Sequence, residues 1–167
     1  QSLGWSDSGV EGAFRFLRRL WFMVTAHIAA GPAQALDIPA LTAEQKTIRR
    51  YLHDTIAKVS DDIERRQMFN TAVAAVMELC NHLGRFEDSS PQGRAVLNEA
   101  WTAVVRLMAP ITPHICETLW ELLGEPGSVV VTGWPQVDEA ARVRDQITLA
   151  VQINGKMRAR IELAPGS

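Results

Sequence analysis

The sequence has 167 residues, of which 47% are hydrophobic and 22% are charged. These proportions are ordinary for a soluble globular protein and exclude wholesale disorder. The formal net charge is −2 at pH 7, whereas a dedicated nonspecific nucleic-acid binder is usually clearly basic, so any such role requires a local cationic patch. Because no apolar run approaches the roughly 20 residues of a membrane span and the first residues are polar, we expect neither a membrane partner nor a signal peptide.

The two cysteines, Cys80 and Cys116, fall on apolar stretches with helical spacing and form no CxxC motif. This pattern predicts buried, reduced thiols of a cytoplasmic protein rather than a disulfide. His82 and His114 each lie two residues from a cysteine, but residues two apart on a helix point to different sides. We therefore expect no metal site.

The first predicted helix begins at a capping box formed by Ser8 and Glu11 and ends at Gly31. Apolar residues recur at every third or fourth position and predict one buried stripe, which consists of Val10, Phe14, Leu17, Trp21, Val24 and Ile28. A second set widens this stripe and comprises Ala13, Phe16, Leu20 and Met23.

Three arginines are predicted to converge on the opposite face of this helix. Arg15 lies one turn from both Arg18 and Arg19, and Glu11 is placed to neutralise Arg15 alone. Like charges at this spacing repel by roughly a few tenths of a kcal/mol per pair. The cluster therefore predicts an anionic partner, with a solvated face or a domain contact as alternatives.

A second capping box, Thr42 with Gln45, starts a second helix with one apolar and one charged face. The apolar stripe consists of Ile48, Leu52, Ile56, Val59 and Ile63. On the charged face, which includes Arg49, the basic residues Lys58, Arg65 and Arg66 are candidate phosphate ligands. Alternatively, they pair with the acids four residues earlier, which are Asp54, Asp61 and Asp62.

Three more helices are predicted, over 70–84, 91–109 and 112–124. The first of these has Asn70 as its N-cap and is apolar on almost every side, which predicts a place at the centre of a bundle. Thr112 is predicted to cap the last one.

The sequence changes character near its end. Asn154-Gly155 between two alternating runs predicts a β-hairpin. Lys156, Arg158 and Arg160 alternate with apolar residues, so they share one face of a strand. Because a lone two-stranded hairpin is marginally stable, we expect it to be the truncated start of a further domain.

These patterns together predict a mainly α fold. We expect an antiparallel bundle of about five helices over residues 1–125, a connecting segment over 126–146 and the C-terminal β-hairpin over 147–167. Neither a nucleophile motif nor a phosphate-binding loop is present, so no catalytic residue is predicted.

Four segments, taken in order, resemble bacterial leucyl-tRNA synthetases, which are class I aminoacyl-tRNA synthetases. They are SDSGVEGAFRFLRRLW, HDTIAKVSDDIERRQMFNTAVAAVMELCN, APITPHICETLWELLG followed by GWP, and VQINGKMRARI. The resemblance covers residues 4–163. It implies the helical anticodon-binding domain of such an enzyme and the opening hairpin of its C-terminal domain.

The resemblance also implies function. The parent enzyme attaches leucine to its tRNA with ATP and Mg²⁺, is cytoplasmic and is expected to be a monomer. This part lacks the catalytic and editing signatures, so we expect it to hold no cofactor or metal and to contact leucine tRNA and the catalytic domain. It is expected to grip the tRNA backbone through Arg15, Arg18, Arg19, Lys58, Arg65, Arg66, Lys156, Arg158 and Arg160.

Two further points bear on this hypothesis. No exposed aromatic ladder for stacking bases is evident, with Phe22 as the single exception. The alternative function is that of a rigid scaffold between domains of the synthetase, with little direct tRNA contact.

Overall fold

A computed structural model describes the backbone of residues 7–143 and the side chains of residues 11–143. Within residues 7–143 there are seven α-helices, namely α1 (Asp7–Ala29), α2 (Ala43–Asp61), α3 (Phe69–Arg85), α4 (Pro91–Met108), α5 (Pro113–Leu122), α6 (Val129–Thr132) and α7 (Glu139–Arg142). A 3₁₀ turn (Ile38–Ala40) precedes α2, and a π-helical turn (Asp62–Arg66) follows it. The mainly helical class is confirmed. The predicted hairpin, with Lys156, Arg158 and Arg160, lies outside the described residues.

Hydrogen bonds at the helix ends define how the bundle is arranged. Gln45, at the start of α2, donates to Asp88 and Ser90 just before α4, so α2 and α4 run in the same direction. His27, near the end of α1, bonds Asn98 in α4, so α1 runs opposite to α4. The tight turns on either side of α3 make it antiparallel to α2 and α4.

The centre of the core is α4 rather than α3. Ten of its 18 residues are buried, against six of 17 in α3, and α4 contacts α1, α2, α3, α5 and α6. The prediction that α3 occupies the centre is wrong. Its outer face leaves Phe69 and Met77 exposed, because only one side of α3 has neighbouring helices.

The buried face of α1 is also displaced from the predicted stripe. Phe16, Leu20 and Val24 are buried, whereas the Phe14 side chain is 62% exposed. Phe16 and Leu20 come from the set that widens the predicted stripe and Val24 from the stripe itself, so the burial of these three residues is confirmed. The prediction that Phe14 is buried is wrong, because the neighbouring helices cover the side of α1 centred on Leu20 and Phe14 lies about 120° around the helix from it.

The predicted helix starts are accurate to within one or two residues. The capping box of α2 is confirmed, since the Gln45 amide donates to the Thr42 hydroxyl at 3.2 Å and the Thr42 amide donates to the Gln45 side chain at 2.9 Å. Ser8 lies inside α1 rather than at its cap, and Asn70 is the second residue of α3. Thr112 occupies the N-cap of α5, but its side chain makes no capping hydrogen bond.

Replacing the cap residue of α2 tests this account of its start. Thr42→Ala removes the oxygen that accepts from the Gln45 amide, and we expect it to lower the free energy of unfolding by about 1 kcal/mol. Thr47→Ala is the matched control, because the Thr47 hydroxyl bonds only the carbonyl of Ala43 one turn back. It should change stability by less than about 0.5 kcal/mol. Urea unfolding followed by circular dichroism measures both, and equal losses would contradict the capping role.

Candidate nucleic-acid interface

Arg15 and Arg18 lie on the outermost face of α1. Successive helical residues are about 100° apart, which places Arg18 almost opposite the buried Leu20. Both arginines are exposed. Arg19 is exposed too, but its guanidinium donates to the side-chain oxygen of Asn81 in α3. The structure therefore keeps Arg15 and Arg18 together and turns Arg19 aside, so the predicted convergence of three guanidinium groups is wrong.

This face of α1 carries uncompensated positive charge. From residue 12 to its last residue, α1 contains no Asp or Glu. The expected pair between Glu11 and Arg15 is not formed, and within residues 11–143 neither Arg15 nor Arg18 takes part in an ion pair. An exposed cationic surface of this kind suits a polyanion.

The second predicted cluster is neutralised by acids to a large extent. Lys58 pairs with Asp62 at 3.1 Å, while Arg65 and Arg66 share Asp61 at 3.3 and 3.6 Å. Of the three predicted pairs, only that between Asp61 and Arg65 is confirmed. The other two are wrong, because Asp62 is buried beside Lys58 and Asp54 pairs with a residue outside α2.

A π-helical turn determines where Arg65 and Arg66 lie. The turn spans Asp62–Arg66 and ends at Gln67, whose φ of 52° is left-handed. The Met68 amide then donates to the Asp62 carbonyl at 2.8 Å. The result is an exposed tip between α2 and α3 that presents both arginines to solvent. Nothing in the sequence distinguishes this turn from a regular continuation of α2.

Arg49, which the helical pattern assigned to the charged face, is buried. Its guanidinium donates to both carboxylate oxygens of Glu99 in α4, at 2.9 and 3.1 Å, and to Asp138 at 2.9 Å. His53, one turn further along α2, is also buried. Its Nδ1 accepts the Asp138 amide proton at 2.9 Å, so the neutral ring carries its proton on Nε2, which is 3.4 Å from Glu99.

The electrostatics of this cluster stabilise the ionised carboxylates. Burial alone would raise the pKa of Glu99, but hydrogen bonds from His53 and Arg49 and the charge of Arg49 outweigh it, so the pKa of Glu99 lies below its usual value. The hydrogen bond from Arg49 likewise lowers the pKa of Asp138. Arg49 is therefore a structural cation and is not available to an external anion.

The residues that follow α6 are bound along α2 and α4. The Trp134 indole donates to the Ser60 hydroxyl at 2.6 Å, and Arg106 of α4 donates to the carbonyls of Gly133 and Trp134 at 3.0 and 2.9 Å. Arg142 pairs with Asp54 at 2.8 Å. We call residues 133–142 the docked segment. Within the predicted connecting segment over 126–146, this part is held firmly against the helices.

The two cysteines are free and buried, as predicted. Burial raises the pKa of Cys80 to about 12 and that of Cys116 to about 11, so neither is a thiolate at neutral pH. Residues 11–143 hold no cluster of three metal-ligating side chains. Over the described helices, none is long and apolar enough to cross a membrane.

Comparison with known proteins defines the family. Over residues 45–167 the sequence matches the family described as the anticodon-binding domain of tRNA ligase. The chain belongs to this family. As a member of the anticodon-binding domain family, it is also similar to the leucine–tRNA ligases of Chromohalobacter salexigens, at 61% identity, and Halorhodospira halophila, at 57%. Each alignment covers 98% of this chain.

The chain spans about a fifth of the length of these relatives, 19% and 20% respectively. A structural neighbour is the LeuRS of Agrobacterium radiobacter K84, solved in a ternary complex with tRNA and LeuAMS. It superposes with a TM-score of 0.69 at 30% sequence identity, covering 86% of this chain and 18% of that one. The resemblance to leucyl-tRNA synthetases is thus confirmed.

The buried ion cluster yields a stability prediction. Arg49→Met removes the guanidinium and leaves the Glu99 and Asp138 carboxylates without it, and we expect a loss of about 3–5 kcal/mol in the free energy of unfolding. Arg50→Met is the matched control, because Arg50 is partly exposed and has no ion pair among the described residues. It should stay within about 0.5 kcal/mol of the wild type. Chemical denaturation measures both variants, and a mild effect at Arg49 would show that the cluster is not stabilising.

The lowered pKa of Glu99 predicts a dependence of stability on pH. A carboxyl group whose pKa is lower in the folded state contributes stability above its unfolded pKa, roughly 4.3, and loses it as the pH falls through the folded value. Unfolding free energies between pH 2 and 7 should therefore decline at the acidic end, and Glu99→Gln should reduce that decline. Glu121→Gln, at an exposed carboxyl, is the control. Identical pH profiles for Glu99→Gln and the wild type would contradict the assignment.

Proposed function

We propose that this chain is the tRNA-binding part of a leucine–tRNA ligase. The observation that carries the proposal is the similarity of nearly the whole chain to leucine–tRNA ligases, at up to 61% identity. The structural neighbour solved with tRNA supports it. In this role the helical body supplies affinity and orientation for leucine tRNA and takes no part in the chemistry.

The geometry supports a grip on the tRNA backbone. Arg15 and Arg18 form an exposed cationic face that makes no ion pair within residues 11–143, and arginine donates well to phosphate oxygens. They are the first candidates for phosphate contacts, with Arg19 beside them. At the tip between α2 and α3, Arg65 and Arg66 share Asp61. These two arginines and Lys58 therefore rank after Lys156, Arg158 and Arg160, the cations of the predicted hairpin.

The activity of the whole enzyme belongs to the same proposal. The parent protein would activate leucine with ATP and Mg²⁺ and transfer it to the tRNA, using residues outside this chain. Its catalytic domain is the expected neighbour of this bundle. We expect a cytoplasmic, monomeric enzyme, and the connecting segment and C-terminal hairpin would lead into a further tRNA-binding domain.

A second candidate function is that of a rigid scaffold between domains of the synthetase. The observation that favours it is the docked segment, which is held on α2 and α4 by Arg49, His53 and Arg106. A fixed segment would transmit a defined orientation to the chain that follows it. Under this hypothesis the exposed arginines would contact other domains, and the helical body would have little affinity for tRNA.

A salt titration of tRNA binding separates the two functions. The probe is a leucine tRNA transcript, titrated with the wild type and with the double variant Arg15→Gln, Arg18→Gln at several salt concentrations. If both arginines contact phosphates, the double variant should bind more weakly at low salt, and the slope of log K against log salt should fall by about two.

The control is Lys46→Gln with Arg50→Gln, which makes the same change in net charge on α2. This control should leave the slope of log K against log salt nearly unchanged if Arg15 and Arg18 are the residues that contact the tRNA phosphates. Equal slopes for all three proteins would remove the α1 face from the interface. Failure of the wild type to bind at low salt would favour the scaffold.

A further inference from the structure

Two phenylalanines on α1 are exposed without any structural need. Phe14 and Phe22 are 62% and 63% exposed, more than any other aromatic residue among those described. Both lie on the side of α1 that faces away from the core. A large aromatic ring in water gains nothing for folding, so its position is better explained by a contact outside the described residues.

The rings and the arginines form one strip. Phe14, Arg18 and Phe22 are spaced four residues apart, so they follow one another at intervals of about 6 Å along the helix axis and lie within an arc of about 80°. Arg15 lies beside this line, on the same outer face. We call these four residues the outer strip.

The charge of the outer strip indicates what kind of partner it fits. Two guanidinium groups, those of Arg15 and Arg18, lie between two apolar rings in the sequence of α1, and no acidic residue follows Glu11 in this helix. An unpaired nucleotide offers both a flat π face and a negative phosphate, so it can satisfy a ring and an arginine at once. A protein partner would have to bring its own carboxylates to the same place.

The exposed tip between α2 and α3 is followed by another exposed aromatic residue, Phe69, but α1 is the better candidate for stacking on a base. Phe69 is 50% exposed and follows Arg66 by three residues in the sequence, but Arg65 and Arg66 are already paired with Asp61. Arg15 and Arg18 have no such acid within residues 11–143. Among the residues that the structure describes, exposed rings therefore flank cations without an ion pair only on α1.

We infer that Phe14 and Phe22 stack on unpaired bases of the bound tRNA, with Arg18 between them holding the intervening phosphate. The inference rests on the proposed function and adds to it, because a backbone grip needs only the arginines. It also revises the expectation that the domain offers no aromatic surface for bases. Phe22 is the single exposed ring that the sequence predicts. Phe14, which the apolar pattern assigned to the core, is a second exposed ring on α1.

The experiment separates stacking from charge. Leucine tRNA binding is measured at several salt concentrations for the wild type, for Phe14→Leu with Phe22→Leu, and for Phe14→Trp with Phe22→Trp. Leucine keeps an apolar side chain and a good helix former but loses the ring, whereas tryptophan keeps a ring. Phe69→Leu is the matched control at another exposed phenylalanine. Circular dichroism and thermal unfolding verify that each variant is folded.

We expect the leucine pair to bind roughly 25-fold more weakly, from a loss of about fivefold for each ring. The salt slope should not change, because stacking releases no counterions. The tryptophan pair should bind tRNA at least as tightly as the wild type. Phe69→Leu should bind tRNA with the same affinity as the wild type.

The remaining outcomes overturn the inference in distinguishable ways. If the leucine pair binds normally while Arg15→Gln with Arg18→Gln reduces the slope, the backbone grip stands and the stacking does not. The rings then belong to a contact with another domain. If Phe69→Leu weakens binding as much as the leucine pair, the effect is not specific to the outer strip. If the wild type does not bind at low salt, the proposed function fails together with the inference.

Discussion

The structure depends on one buried cation. The guanidinium of Arg49 sits where α2, α4 and the docked segment meet, and it bonds Glu99 and Asp138 at once. A buried charge is tolerated only when it is paired and hydrogen-bonded, so the positions of all three elements are linked to this residue. His53 adds hydrogen bonds to the same two residues. Other arrangements of these elements would leave an ionic group unsatisfied.

The arginines of this chain fall into two groups that the sequence does not separate. Arg49, Arg94 and Arg106 donate to groups within the bundle, whereas Arg15 and Arg18 face solvent. The hydrogen bonds of the first group hold elements of the structure together, and exposure of the second leaves charge available for a partner. The difference arises from which neighbours each helix face meets, and residue type alone does not determine it.

Local signals predicted most of the helices. The Thr42 capping box, the proline at the start of α4 and the proline at the start of α5 each mark an element in the structure, because capping and proline geometry act over only a few residues. Which residues of the broad apolar stripe on α1 are buried depends on packing partners, so its periodicity wrongly predicts that Phe14 is buried. The π-helical turn after Asp61 has no such local signal.

The candidate site was predictable only in part. The cationic face of α1 follows from helical spacing, and Arg15 and Arg18 lie where that spacing places them. The departure of Arg19 depends on Asn81, which is 62 residues away in the sequence. The pairing of Arg49 with Asp138 spans 89 residues. Contacts over such separations require the folded arrangement of the helices, which no short pattern contains.

The docked segment has a consequence for any binding surface carried beyond residue 143. Because Arg142 pairs with Asp54 on α2, the tether to any module beyond residue 143 would be measured from the side of α2 and not from the end of α5. A shorter tether confines a binding surface beyond residue 143 to a smaller volume. This raises the effective concentration of that surface near a ligand that the helices already hold. Two individually weak contacts can then add up to a strong one without either being optimised.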